Sequence, residues 1–312
     1  MTEIKFPKEW LLNIKNIDQL ASLVSVSTIN LLKIEKKIPV FYYEKTISKG
    51  NKERVLFVPA LELKKVQRKI LNNILNFKFP FYTHGGISGR SIITNARMHL
   101  SQKWVMCLDI KDFFPSIHYK KIYKNFILLN CSSRVSKLLT HLTTYKYQLP
   151  QGTPTSPAIA NIILYNLDKR IFGLCRMKNL KYSRYFDDIA ISGSSNPKSI
   201  LKKCESIIYQ EGFKINKKPE KLRTMPSEDK QIVNGLIVNG PELQPSPEEI
   251  QKIHTLLNQL VSKDFSIFLN KEPIKVKKEL EGHIAFLKSV NLSIAKKFKQ
   301  KFNKISWSSF CN

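Results

Sequence analysis

Two adjacent aspartates, Asp187 and Asp188, interrupt an otherwise strand-like stretch of the chain, and this feature constrains the fold most. The stretch reads KYSRYFDDIAIS at positions 181 to 192, and its residues alternate with the period of two that is typical of β-strands. The two carboxylates therefore fall at the tip of a predicted β-hairpin. Because like charges repel, the pair is either a solvated polar turn or part of a site that attracts cations, and the rest of the sequence must distinguish the two.

The chain carries a large excess of positive charge, with 52 Lys and Arg against 24 Asp and Glu among 312 residues and a formal net charge of +28. Solubility does not require a charge of this size, so a polyanionic partner is the leading explanation, and nucleic acid is favoured over an acidic membrane. The apolar runs are far shorter than the roughly 20 residues of a membrane-spanning helix, and the first residues lack the apolar core of a signal peptide. We therefore expect a cytoplasmic protein with no membrane partner.

Three regions of different character predict the domain organisation. Residues 1–50 are expected to form a helical extension, residues 51–240 mix helices with strands, and residues 241–312 are expected to be helical again. The helical spacing in the first region fits a helix-turn-helix motif or a simple packed pair, of which the packed pair is commoner. The cysteines are odd in number and widely spaced, which predicts reduced thiols. They are Cys107, Cys131, Cys175, Cys204 and Cys311.

The middle region has the mixed order of an α+β fold. The run KWVMCLDI at 103–110 is continuously apolar, as in a buried central strand, and carries Asp109 at its end. The run SPAIANIILYNLDKRIF predicts a helix with Ser156 as its N-cap and Pro157 in its first turn. Another hairpin is predicted around IVNGLIVNG, with Asn239-Gly240 as its turn signal.

A strand that ends in Asp109 and a hairpin tipped by Asp187 and Asp188 could deliver their carboxylates to one sheet edge. Three converging carboxylates repel one another unless cations neutralise them, and hard oxygen ligands of this kind suit Mg²⁺. Two such ions could activate an attacking oxygen and stabilise a departing pyrophosphate. The aspartate pair would then belong to a metal site.

Four segments occur in a specific order along the chain, namely LDIKDFFPSI, LPQGTPTSPAIAN, RYFDDIAIS and EGFKINKKPEKL. This ordered set resembles motifs A to D of reverse transcriptases. In addition, NARMH at 95–99 and VNG at 233–235 resemble the N-A-x-x-H and V-T-G elements of bacterial retron reverse transcriptases. The resemblance implies a right-hand polymerase fold, with fingers and palm to about residue 240 and a helical thumb beyond, and RNA-directed DNA polymerase activity.

The same resemblance assigns roles by motif position. It implies that two Mg²⁺ ions bind a catalytic triad and a backbone carbonyl, contributed by Asp109, Asp187, Asp188 and Ile110. Phe114 matches the aromatic residue that crowds the sugar 2′ position and excludes ribonucleotides, although it could also be an ordinary core residue. Further nucleotide contacts are implied for Arg54, Asp112, Phe113, Gln151 and a motif D lysine, which is Lys218 or Lys221. Lys52 and Arg90 are additional candidates for phosphate contacts.

The retron elements and the last helix are expected to bind RNA. Asn95 and His99 lie one helical turn apart, and they either hold a folded RNA or form an internal hydrogen-bonded brace. Cations for RNA phosphates are offered by Lys296, Lys297, Lys299 and Lys301. The sequence departs from the retron pattern at Phe186, which replaces an Ala, and at Asn234, which replaces a Thr.

What a retron enzyme does follows from the resemblance alone. It implies deoxynucleoside triphosphate substrates, and a cognate structured non-coding RNA that serves as both template and primer. The implied product is a branched RNA–DNA molecule (msDNA) used in anti-phage defence, together with an effector protein encoded nearby. The alternatives are another bacterial defence reverse transcriptase with a different cDNA product, and a non-catalytic RNA-binding scaffold.

Overall fold

The computed structural model describes residues 6–49, 52–262 and 272–307. In these residues the α-helices are α1 Ile17–Val24, α2 Thr28–Lys36, α3 Leu61–Asn73, α4 Ile92–Arg97, α5 Phe113–Ser116, α6 Tyr119–Leu128, α7 Ser133–Thr143, α8 Ser156–Met177, α9 Leu201–Gln210, α10 Pro247–Val261, α11 Pro273–Val290 and α12 Leu292–Asn303. The strands are β1 Tyr42–Lys49, β2 Lys52–Pro59, β3 Trp104–Asp109, β4 Lys181–Tyr185, β5 Asp188–Gly193, β6 Arg223–Pro226, β7 Ile232–Val233, β8 Leu236–Ile237 and β9 Gln244–Pro245. The side chain of Lys52 and all of Cys311 lie outside the described residues.

The central sheet is antiparallel and has the strand order β4-β5-β3-β6. Strand β3 is apolar up to its last residue, Asp109, and both of its faces are covered. Met106 and Leu108 belong to the main core, which also contains Leu164 and Leu167 of α8. Val105 points into a second cluster with residues of α4 and of the β7–β8 hairpin. Helices and an antiparallel sheet thus combine in one core, which confirms the expected α+β class.

The first helices belong to the same core as the sheet. Trp10, Leu20 of α1 and Leu31 of α2 are buried in the main cluster, and α1 and α2 pack against α3 and α7. Strands β1 and β2 form a separate two-stranded antiparallel ribbon. The ribbon is joined to the loop before α8, because the Phe57 amide donates to the Gln151 carbonyl at 2.9 Å.

Helices α10, α11 and α12 enclose a core of their own. Leu257, Leu280 and Phe298 are buried in it, one from each helix. Apolar residues recur along α12 at helical spacing, so its inner face packs while its lysines are exposed. Within the described ranges, no helix has the length and apolar character needed to cross a membrane.

Two local details differ from the sequence predictions. The hairpin turn lies at Asn234-Gly235 rather than Asn239-Gly240, because Ile232 pairs with Ile237 and Val233 with Leu236. Both turn residues have positive φ, 48° and 82°, which Asn-Gly tolerates well. Helix α8 has Thr155 as its N-cap, one residue before the predicted Ser156, whose hydroxyl donates instead to the Pro150 carbonyl at 2.6 Å.

Candidate active site

The aspartates predicted to converge lie on adjacent central strands. Asp109 ends β3 and Asp188 begins β5, and the two residues are directly paired in the antiparallel register. Asp187 precedes Asp188 in the turn, and its carbonyl accepts a hydrogen bond from the amide of Ile110 at 3.0 Å. The end of β3 and the tip of the β4–β5 hairpin are therefore fixed to each other by main-chain bonds, which brings the three aspartates to one edge of the sheet.

Positive charge and an amide also reach this edge from the segment after α9. The Lys221 ammonium group donates a hydrogen bond to Asp109 Oδ2 and forms an ion pair with it. Asn216 donates from its side chain to Asp109 Oδ1 at 3.2 Å, and its backbone amide donates to the Asp109 carbonyl at 2.8 Å. Of the two motif D lysines left open by the sequence, Lys221 is the one that contacts the aspartates, whereas Lys218 is exposed.

Burial and mutual repulsion make the aspartates difficult to ionise. Burial raises the pKa of Asp187, and the charge of Asp109 raises it further, while Lys221 and Arg54 oppose both effects. Burial raises the pKa of Asp188 to about 6, with the Asp187 charge as the next cause, whereas Lys221 and a hydrogen bond from Asn234 act in the opposite direction. One lysine thus does not neutralise the cluster, and additional cations would stabilise it.

The cluster has the donor set of a divalent-cation site, although in the described part of the chain no three acidic, histidine or cysteine groups are arranged to hold a metal ion. Burial first, and neighbouring carboxylates second, raise the pKa values of the half-buried Asp187 and Asp188. Carboxylate oxygens are the ligands that hard divalent cations prefer. The residues therefore fit divalent cations.

A buried ion pair, which the sequence analysis missed, positions the hairpin that carries the aspartates. Arg184 of β4 is fully buried, and its Nε and Nη2 donate to the two oxygens of Asp168 on α8, each at 2.7 Å. Its Nη1 donates to the Phe186 carbonyl at 2.9 Å, and Tyr182 donates to Asp168 at 2.6 Å. A charged residue at an inward position of an apolar strand was the available signal for this network.

The turn residue Phe186 has a positive φ of 54°, which is uncommon for an aromatic residue. Its ring centroid lies 6.0 Å from that of Phe114, which is half-buried beside the buried Phe113. Asp112 is exposed and is the N-cap residue of the short helix α5. Phe114 therefore lies between core and surface, next to the residue that precedes the aspartate pair.

The other predicted nucleotide contacts differ in how closely they approach the aspartates. Arg54 is exposed on β2, and its charge lowers the pKa of Asp187. Gln151 is half-buried and is tied through its carbonyl to β2. Arg90 instead donates to three backbone carbonyls, those of Phe79, Pro80 and Thr83, so its guanidinium stabilises the surrounding loop.

Asn95 and His99 of the NARMH segment are both fully buried. The two ring nitrogens of His99 lie 2.7 Å from the hydroxyl oxygens of Ser192 on β5 and Ser183 on β4. Asn95 donates to the Asn234 side chain at 2.5 Å. These contacts favour the internal brace over direct RNA contact, because neither side chain reaches the surface. By contrast, the α12 lysines are exposed, namely Lys296, Lys297, Lys299 and Lys301.

Comparisons with known proteins identify the family of the chain. The family model described as reverse transcriptase (RNA-dependent DNA polymerase) matches residues 47–230. The chain is 34% identical over 237 residues to the Retron Se72 reverse transcriptase of Salmonella heidelberg, with 72% of this chain and 62% of that protein covered. It is 32% identical over 251 residues to the Retron Ec86 reverse transcriptase of Escherichia coli, with 77% and 76% covered. A solved structure of telomerase from Candida albicans with a fragment of telomeric RNA is 14% identical and has a TM-score of 0.49, covering 85% of this chain and 56% of that one.

The chain therefore belongs to the reverse transcriptase family, the RNA-dependent DNA polymerases, and its curated relatives are retron reverse transcriptases. The reverse transcriptase family expected from the motifs is confirmed. The matched segment spans less than two thirds of the Salmonella relative, at 62% of its length.

Proposed function

We propose that this protein synthesises DNA on an RNA template and uses a structured cognate non-coding RNA as both template and primer. The observation that supports it most is the meeting of Asp109, Asp187 and Asp188 at one sheet edge, inside the segment that matches the family model. The relatives, which are retron reverse transcriptases, support the retron type. A branched RNA–DNA product (msDNA) is part of the proposal. Its use in anti-phage defence with a neighbouring effector protein is part of the same proposal.

Two Mg²⁺ ions are proposed to be held by the carboxylates of Asp109, Asp187 and Asp188 and by the Ile110 carbonyl. When bound, divalent ions would lower the pKa of the attacking hydroxyl and stabilise the charge on the pyrophosphate. The chain's own contribution is to hold the carboxylates together. The Ile110 amide fixes the Asp187 carbonyl, and Asn216 fixes Asp109 from the other side.

The surrounding residues are proposed to bind the incoming nucleotide. Lys221 is close enough to Asp109 to exchange that partner for a phosphate oxygen, which would free the carboxylate for a cation. Arg54 is exposed on β2 and would contact the triphosphate, as would the backbone amides of Asp112 and Phe113. Phe114 would crowd the sugar 2′ position and so favour deoxynucleotides. Gln151 would support nucleotide and template at the junction with β2.

The helical unit from residue 241 onward is proposed to be the thumb, with fingers and palm in residues 51–240 and a helical extension in residues 1–50. Its separate core supports this division at the C-terminal end. Exposed lysines on α12, together with the net charge of +28, would bind the phosphates of an RNA stem or an RNA–DNA hybrid.

Removal of the aspartates tests the enzymatic proposal. Asp187→Asn and Asp188→Asn, made singly, should nearly abolish Mg²⁺-dependent extension of a DNA primer on an RNA template. RNA binding should be almost unchanged, because it comes from cations distributed over the surface. The exposed Asp229 provides the matched control, and Asp229→Asn should extend normally. Extension at wild-type rates by both active-site variants would refute the proposal.

The copurifying nucleic acid separates the retron type from the alternatives. We would sequence it with and without debranching treatment. Branched RNA–DNA would support the retron proposal, and unbranched cDNA would favour a different defence reverse transcriptase. RNA alone, from a protein that extends no primer, would favour a non-catalytic scaffold.

A further inference from the structure

A chain of hydrogen bonds connects the buried helix α4 to the aspartate cluster. Asn95 of α4 donates from Nδ2 to Asn234 Oδ1 at 2.5 Å. Asn234 in turn donates from Nδ2 to Asp188 Oδ2 at 3.2 Å. All three residues line one cavity of about 320 Å³ beside β5. The side-chain amides of Asn95 and Asn234, which are far apart in the sequence, thus form a chain of hydrogen bonds that ends at the Asp188 carboxylate.

Both amides are held by rigid local structure. Helix α4 begins with a capping box in which Ser91 accepts from the Thr94 amide and Thr94 accepts from the Ser91 amide. Asn95 itself is fully buried, and its backbone amide donates to the Ser91 carbonyl at 3.0 Å. Asn234 occupies the first position of the two-residue β7–β8 turn, with φ 48°. The backbone that carries each side chain is therefore fixed by its own element.

We propose that Asn95 and Asn234 are positioning residues, which orient the Asp188 carboxylate for cation binding. This inference rests on the proposed role of Asp188 as a metal ligand. Asn234 is the residue that touches Asp188, and Asn95 acts through Asn234 by fixing the rotation of its amide. The N-A-x-x-H and V-N-G segments then share a function, since each contributes one of the two amides.

The charge of a hydrogen-bond donor affects how well the carboxylate that it contacts can bind a cation. Lys221 neutralises the carboxylate that it contacts, and a cation must compete with it. The Asn234 amide is neutral, so it fixes the carboxylate while leaving the full negative charge for a cation. Groups that hydrogen-bond a metal ligand commonly contribute about 10- to 100-fold to metal affinity or activity.

Mn²⁺ binding to the nucleic-acid-free protein tests the inference without relying on polymerase activity. Free Mn²⁺ is measured by electron paramagnetic resonance during titration of the full-length protein. Asn234→Gly removes the side chain at a position where positive φ favours glycine, so the turn is preserved. Asn179 has φ 52° and is exposed before β4, so Asn179→Gly makes the same exchange away from the aspartates.

We expect Asn234→Gly to weaken Mn²⁺ binding about tenfold, Asn95→Ala to weaken it to a smaller extent, and Asn179→Gly to leave it unchanged. The double variant Asn95→Ala with Asn234→Gly should match Asn234→Gly alone, because Asn95 acts through Asn234. Melting temperatures would be measured for all variants, and Asn234→Gly should unfold close to wild type.

Three results would overturn the inference in distinguishable ways. Unchanged Mn²⁺ affinity in Asn234→Gly would remove the positioning role alone. Additive losses in the double variant would show that Asn95 does not act through Asn234. Unchanged affinity in Asp188→Asn would remove the metal-ligand role of Asp188, and with it both this inference and the proposed catalytic site.

Discussion

The buried histidine of the NARMH segment should make the protein sensitive to acid. His99 is fully buried, between Ser192 of β5 and Ser183 of β4. Burial, together with the smaller effects of the Lys181 and His84 charges, lowers its pKa to about 3. The folded protein therefore keeps His99 neutral at pH values where the unfolded chain protonates it.

The size of the effect follows from the two pKa values. Because the pKa of His99 is near 6.5 in the unfolded chain, the histidine does not lower the free energy of unfolding above that pH. As the pH falls from 6.5 toward 3, the unfolded state binds a proton that the folded state does not, so the free energy of unfolding decreases. At pH 5 the loss that His99 contributes is about 2 kcal/mol. His84, whose pKa burial lowers to about 4, adds to the loss in the same pH range.

Urea denaturation at pH 7 and pH 5 measures this contribution. His99→Gln cannot be protonated, so the variant should lose about 2 kcal/mol less than wild type between the two pH values, whatever its stability at pH 7. An equal loss of stability in His99→Gln and wild type would refute the reasoning.

Three further predictions concern substrates. Phe114→Val should raise ribonucleotide relative to deoxynucleotide incorporation in primer extension, because the ring is the repelling group. An unchanged ratio would mean that Phe114 is an ordinary core residue. Asn95→Ala combined with His99→Ala should lower branched product and plain primer extension by the same factor, since both side chains are buried and do not reach the RNA. Loss of branched product alone would contradict this. Lys296→Ala with Lys299→Ala should make RNA binding less dependent on salt, with the slope falling by about one unit for each phosphate that is no longer bound, and an unchanged slope would exclude these lysines.

The sequence predicted those parts of the fold that depend on local patterns. The continuously apolar run of β3 and the alternating residues around Asp187 and Asp188 are each typical of strands, and both form the expected strands. Family motifs then identified the aspartates at the sheet edge. The division into fingers, palm and thumb rests on the same resemblance and stays a prediction.

Contacts between distant segments could not be predicted in the same way. Lys221 and Lys218 are equivalent in the sequence, and only the path of the chain after α9 brings Lys221 to Asp109. The choice between the two Asn-Gly pairs also depends on strand pairing, since each pair can form a tight turn. Asn95 has its partner 139 positions away, at Asn234, so the sequence left open whether Asn95 holds RNA or forms an internal brace.

Gly85 of the HGGISGR segment, which also contains Arg90, lies against the aspartate turn. A Cβ at this position would stand 2.5 Å from the backbone nitrogen of Phe186. Because this atom belongs to the main chain, no side-chain rotation relieves the clash, and in Gly85→Ala the backbone must shift at the loop or at the turn that carries Asp187.

We therefore expect Gly85→Ala to lose most primer extension. Gly173 of α8 has open space around it, so Gly173→Ala should extend normally. Adding Phe186→Ala to Gly85→Ala removes the ring contacts at 2.8 and 2.9 Å but keeps the clash with the backbone, and it should restore little activity. Full recovery in the double variant would mean that the Phe186 ring, rather than the turn backbone, sets the position of the aspartates.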